Sequence, residues 1–213
     1  MKNLTLLFPA YNCPELLAAH VEEWANYPCG VEAIVVDDHS DTPPIEILRH
    51  SPIPVRLYRV RDDIAWNQPG ARNLGMLMAQ TRWVLSTDAD HLVPAATMRA
   101  LMAMEPDPGA AYTFAREDAS RPHPNTWLLT RDAYWNGGGF DEDYAGHYGH
   151  DDTSFRRRLK RRVQFTHLAK LAVRPMGTGR PTKRDPARNA ELLRDKKDAM
   201  PHTYIRFHWK RLI

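Results

Sequence analysis

Trp83-Val84-Leu85-Ser86-Thr87-Asp88-Ala89-Asp90 decides how this chain is read. A short apolar run that stops abruptly at acids has the form of a strand buried on both faces, with a polar end at the edge of its sheet. Two earlier segments share that form. Leu4 to Phe8 ends in Pro9-Ala10-Tyr11-Asn12, and Glu32 to Val36 ends in Asp37-Asp38-His39-Ser40. Between the strands, apolar periodicity predicts helices over 14–27 and 70–80. The first turns Leu16, Leu17, His20, Val21 and Trp24 to one face, and the second turns Leu74, Leu77 and Met78 inward. A short helix opens at Pro43-Pro44, a further strand covers 55–60 and a helix covers 94–104. Strands alternating with helices predict an α/β fold around a mostly parallel sheet.

Beyond that helix the alternation stops. Residues 110–115 and 126–129 read as strands free to run either way, and 136–149, rich in Gly, Tyr and acid, as a loop. A helix follows over 151–162 with Phe155 and Leu159 inward, then one or two short strands over 163–173. From Arg174 onward proline, glycine and charge dominate, with a helix over 187–197. The organisation read from this is one domain over 1–173, with halves at 1–92 and 93–173, and a basic extension over 174–213.

Charge is divided between the two ends. Residues 156–213 carry 18 Lys/Arg against 4 Asp/Glu, whereas the first 155 carry 11 against 22. The acidic part suits a cation; the basic part suits phosphates, a nucleic acid or an anionic membrane, or is a solvated tail. No apolar run reaches the roughly 18 residues of a membrane span, and the N-terminus has no secretory pattern. Cys13 and Cys29 have no ligand-type spacing. Together these predict reduced thiols and a cytoplasmic location.

In open α/β sheets ligands bind beyond the carboxyl ends of the strands. Asp88 and Asp90, at i and i+2 after a buried strand, are costly unless they face a partner. A hard cation, Mn²⁺ or Mg²⁺, shared with a diphosphate is such a partner; a turn or a helix cap near Pro94 is the bland alternative. Asp38 has the placement of an acid that accepts hydrogen bonds from a nucleoside, or is a plain polar strand end. Arg72, in Gly70-Ala71-Arg72-Asn73, either meets an anion near a helix N-terminus or is a solvated arginine.

In order along the chain, Leu6-Leu7-Phe8-Pro9-Ala10-Tyr11-Asn12, Ile34-Val35-Val36-Asp37-Asp38-His39-Ser40, Gly70-Ala71-Arg72-Asn73-Leu74-Gly75 and Ser86-Thr87-Asp88-Ala89-Asp90 resemble the N-terminal half of family 2 glycosyltransferases. Asn136-Gly137-Gly138-Gly139-Phe140-Asp141-Glu142, followed by Tyr144 to Asp152, resembles their acceptor loop and acidic motif, in the manner of the galactosyltransferase-type C-terminal region. The resemblance covers about residues 4–160. It implies a GT-A fold, with 1–92 binding a nucleotide-sugar and 93–173 an acceptor. It implies that Pro9, Tyr11 and Asp38 hold the nucleoside of a UDP-sugar and that Arg72 assists the nucleotide. Asp88 would touch ribose or sugar, Asp90 would ligate the metal, and Gly138 and Gly139 would border the donor sugar and acceptor.

An inverting transfer needs a carboxylate to take the acceptor's proton. The family's motif falls on His150-Asp151-Asp152, in a register that admits either acid. Tyr144 to Asp151 aligns without a gap, which favours Asp151, while helix capping is the alternative role for either acid. The family's histidine metal ligand has no counterpart near Arg174-Pro175-Met176, leaving His167, His202, His208 or water as substitutes.

Trp135, Tyr144, His147 and Tyr148 fall in the acceptor loop. With the basic residues at 156–162, 180, 183, 184, 206, 210 and 211, they allow a saccharide acceptor or a polyanionic one, such as a hydroxylated base in DNA. Two other classes compete: a nucleic-acid-binding or scaffolding module on a degenerate transferase fold, and a nucleotidyltransferase. The latter usually needs a Gly-rich basic loop that Pro9 to Pro14 does not supply.

Overall fold

The computed structural model describes residues 1–119, 121–177 and 184–213; Arg180 and Lys183 of the basic extension lie outside them. The first half comprises β1 (Leu4–Ala10), α1 (Pro14–Trp24), β2 (Val31–Asp37), α2 (Ile45–Arg49), β3 (Val55–Val60), α3 (Gln68–Met78) and β4 (Trp83–Ser86). The remainder comprises β5 (His91–Leu92), α4 (Ala95–Ala103), β6 (Ala110–Arg116), β7 (Trp127–Thr130), α5 (Arg131–Asn136), α6 (Asp151–Leu159), β8 (Gln164–Pro175), α7 (Ala187–Lys196) and β9 (Trp209–Arg211). The strands run in the order β5-β8-β6-β7-β4-β1-β2-β3-β9.

The expected parallel sheet holds for β3-β2-β1-β4, where helical crossovers return each strand in the same direction. It fails beyond β4. β7 is antiparallel to both β4 and β6, β6 and β8 are parallel, and both outermost strands are antiparallel. The described residues of the link from β6 to β7 contain no helix, and the chain reverses between these strands, so the sheet is mixed. α5 falls between the strand read over 126–129 and the loop read over 136–149, in a stretch the periodicity does not mark, since its buried face is only Ala133 and Tyr134.

Strand β1 is buried at every position because both sheet faces are covered. Its side chains alternate: Leu4, Leu6 and Phe8 meet Trp24, Leu85 and Met98, while Leu7 joins Ile34, Leu74, Met76 and Phe140 on the other face. Helix α3 lies so near β1 that a Cβ on Gly75 would collide with Leu7. That contact sets the helix's inward face, so Leu77, expected inside, is 46% exposed.

The described part of the extension is joined to the domain rather than solvated. β8 runs through the boundary drawn at residue 173, and β9 pairs with β3. Lys196 Nζ donates to Asp141 at 2.6 Å and also to Asp143, and Arg206 pairs with Asp143 at 2.6 Å. Part of the basic end is therefore tied to acids of the domain. No helix among the described residues is long and apolar enough to cross a membrane.

Candidate active site

The carboxyl ends of β1 and β4, the 144–149 loop and the start of α6 enclose a cleft of about 590 Å³, within the usual range for small-molecule sites. Pro9, Tyr11, Asp88, Asp90, Asp151 and Asp152 all line it. Tyr11 is half exposed. The β1 and β2 ends are latched together beside it: Asn12 N donates to Ser40 Oγ, and Asp41 N donates to Asn12 Oδ1, both at 2.9 Å.

Asp88 is fully engaged by protein. Arg72 Nη2 donates to Oδ1, while Asn125 Nδ2 lies 3.0 Å and His123 Nε2 3.3 Å from Oδ2. Burial alone would raise the Asp88 pKa; Arg72, His123 and Asn125 outweigh it and hold the carboxyl well below the usual carboxylate range. Arg72 itself is fully buried and does not line the cleft. It also donates to Ser86 Oγ at 2.6 Å and Thr87 O at 3.3 Å, and its guanidinium lies 5.5 Å from the Phe140 ring centre. The expected direct contact with a nucleotide anion is replaced by an internal one, because α3 aims this side chain at the end of β4.

Asp90 is more open, with its side chain 34% exposed. His91 Nδ1 sits 2.6 Å from Asp90 Oδ1, and the rings of His91 and His123 stack with centres 3.6 Å apart. The two aspartates are thus each backed by one histidine of a stacked pair. Neither histidine was singled out in the sequence: they lie 32 positions apart and meet only through the fold. His167 and His208 make other contacts, with Thr113 and Asp62, and neither they nor His202 lines the cleft. Met176, where the family's histidine was sought, does lie beside this site, since its N–H donates to Asp90 O at 2.9 Å.

The chemistry of the set fits a hard divalent cation in one way only. Among the described residues no group of three His, Cys, Asp or Glu forms a cage, and Asp88 is committed to Arg72. Asp90 presents carboxylate oxygen to the cleft, as suits Mg²⁺ or Mn²⁺ held by one or two carboxylates and completed by substrate phosphates and water.

α6 begins after His150 in the left-handed region, at φ 67°, and both acids that open it line the cleft. Asp152 Oδ1 accepts from Thr153 N at 2.6 Å, a local bond. Asp151 Oδ2 is buried without a hydrogen-bond partner. Burial first, then the neighbouring Asp152 charge, raise the Asp151 pKa to about 7 against the pull of Arg72.

Besides Arg72, three expected members do not line the cleft. Asp38 is buried and accepts from Asn67 Nδ2 at 3.1 Å; burial lifts its pKa to about 7. Gly138 and Gly139, both at positive φ, are covered rather than facing the cleft. A Cβ on Gly138 would meet Met200 and Pro201, and one on Gly139 would meet Trp135 and Asn73. Within the loop, His147 and Tyr148 reach the cleft, whereas Tyr144 is buried and Trp135 packs on Tyr204. Trp66, edge-on to Tyr148 with ring centres 4.8 Å apart, joins them unannounced by any motif.

The extension fixes this loop. Asn189 is fully buried, and its Nδ2 lies 2.9–3.0 Å from the carbonyls of Tyr144, His147 and Gly149. Asn189→Ala is expected to cost about 1–3 kcal/mol in a urea titration, because it strands buried carbonyls.

Set beside known proteins, this fold is of the GT-A type. The family model described as Glycosyl transferase family 2 matches residues 5–169, and the chain belongs to that family. No curated protein sequence matches the chain. Among solved structures, residues 1–349 of S. aureus TarS superpose with a TM-score of 0.72 at 15% identity, covering 90% of this chain and 63% of that one. The mannosyltransferase PcManGT from Pyrobaculum calidifontis, in complex with GDP-Man and Mn²⁺, superposes with a TM-score of 0.68 at 18% identity, covering 92% and 61%. The chain therefore spans less than two thirds of these structures.

Proposed function

We propose that the chain moves a sugar from a nucleoside-diphosphate donor, a UDP-sugar in the first instance, to an acceptor hydroxyl with inversion at the anomeric carbon. The observation that carries this is Asp151 Oδ2, a buried carboxylate oxygen without a hydrogen-bond partner, in the cleft that Asp90 also lines. Asp151 takes the proton of the attacking hydroxyl as its oxygen bonds to the anomeric carbon, and the bond to the diphosphate breaks. Asp90 would hold Mn²⁺ or Mg²⁺ jointly with that diphosphate, and the ion supplies Lewis-acid stabilisation of the leaving charge. Arg72 keeps Asp88 ionised and in place. Pro9 and Tyr11 border the donor, and Asp38 supports the nucleoside wall. Trp66 and Tyr148 offer aromatic faces to a saccharide acceptor or to a hydroxylated base in DNA.

A thermal-shift screen tests this with UDP-glucose, UDP-galactose, UDP-N-acetylglucosamine and GDP-mannose, each with and without Mn²⁺. One donor at a hundred times its Kd is expected to stabilise the fold by about 2.7 kcal/mol. The shift should vanish without Mn²⁺ and in Asp90→Asn. No shift with any donor would overturn the reading.

A further inference from the structure

A second cavity of about 630 Å³ adjoins the cleft and shares His123 and Pro124 with it as a common wall. Its charged lining is of one sign: Arg116, Arg121, Arg156 and Lys160, with His167 beside them and no Asp or Glu among the lining residues. Arg116 is neutralised by two hydrogen bonds to Asp118, at 2.8 and 2.9 Å. Arg121, Arg156 and Lys160 have no acidic partner among the described residues, although Lys160 lies over the Phe165 ring at 5.7 Å. This separates them from Lys196 and Arg206, whose charges are met by Asp141, Glu142 and Asp143.

The position of the cavity is as informative as its charge. Asp152, Arg156 and Lys160 follow one another at i, i+4 and i+8, so they stand on one face of α6 and its C-cap. That face begins in the cleft beside Asp151 and continues into the cationic cavity, within the half of the fold contributed by β6, β8 and α6. Unpaired cations held close together repel one another and are stabilised by an anion. Arg156 and Arg121 offer planar donor forks suited to phosphate oxygens.

We propose that this cavity is an acceptor subsite for a phosphate of a phosphodiester chain, the hydroxyl to be glycosylated lying one unit away in the cleft. The proposal rests on the transferase reading for the role of the cleft, but its own content is anion recognition by Arg121, Arg156 and Lys160. Phosphate recognition would serve a nucleic acid or another phosphate-linked polymer equally, because it carries no base information.

The test measures binding of a fluorescently labelled single-stranded oligodeoxynucleotide, and of linear inorganic polyphosphate as competitor, to wild type and to Arg156→Glu/Lys160→Glu. Arg157→Glu/Arg162→Glu, two exposed charges that do not line the cavity, is the control. The cavity variant should lose at least about tenfold in affinity at low salt, and its plot of log affinity against log salt should flatten by about 2, one for each phosphate contact removed. The control should change little. Displacement of the oligonucleotide by polyphosphate assigns recognition to phosphate alone; weak displacement adds a contribution from base or sugar, and both support the subsite. Equal loss in the control, no loss in the cavity variant, or no binding of either polymer overturns it. The donor-induced thermal shift, read on the same variants, should be unchanged. Its absence in wild type would defeat the transferase reading while leaving the anion result standing on its own.

Discussion

Asp151→Asn is expected to lower sugar transfer by on the order of 10²–10⁴ while leaving donor binding intact. The amide is nearly isosteric, so it removes the proton acceptor without opening a cavity. Asp152→Asn should have the smaller effect, since Asp152 Oδ1 already serves Thr153; a dead Asp152 variant beside an active Asp151 variant would exchange the two roles. The pH profile carries the same assignment. With the Asp151 pKa near 7 and the base acting deprotonated, kcat/KM should fall about tenfold per unit as pH drops below about 7, and level off above it.

Stability should move the other way. The folded-state pKa lies above the unfolded value near 3.8, so between those values the folded state binds the extra proton. Asp151 therefore reduces stability as pH rises from about 4 to about 7, and the full penalty persists above. Asp151→Asn should then raise Tm at pH 8, by roughly 2–4 °C for each kcal/mol relieved, and have little effect at pH 4. Parallel melting curves at the two pH values check the sign.

Arg72→Met is the most damaging substitution expected on structural grounds, at about 3–5 kcal/mol in urea unfolding. It leaves the Asp88 carboxylate buried without its cation and strands Ser86 Oγ and the Thr87 carbonyl. The double variant Arg72→Met/Asp88→Asn removes the orphaned charge and should recover part of the loss; this coupling is what distinguishes an ion pair from simple packing. If Arg72 instead served solvent or nucleotide directly, the single variant would fold normally and lose only donor affinity.

The parts of the site legible in the sequence are those that local rules determine. Buried strands end where Pro9, Asp38 and Asp88 stand, and the parallel topology gathers those ends on one side. The acids that open α6 were visible because the helical pattern starts at them. What escaped depends on partners distant in sequence. His91 and His123 stack across a β-strand and a loop; the direction of Arg72 follows from how closely Gly75 lets α3 approach Leu7. Gly138 and Gly139 carry the right residue type for a donor-facing loop, yet Met200, Pro201 and Trp135 cover them. Composition marks residues 174–213 as a basic extension and leaves a solvated tail as one reading, because charge counts do not show that Asp141, Glu142 and Asp143 pair with Lys196 and Arg206.

The pairing of β9 with β3 also bears on how molecules behave toward one another. An unpaired edge strand offers its N–H and C=O groups to any neighbouring chain. Without β9 the outer strand would be Val55–Val60, six residues long with Leu57, Tyr58 and Val60 buried against the core. With it, the rim is three exposed residues, Trp209, Lys210 and Arg211, two of them positively charged. Two like charges on so short a rim oppose its pairing with the same rim of another copy, so the strand that completes the sheet also leaves a poor template for extending it.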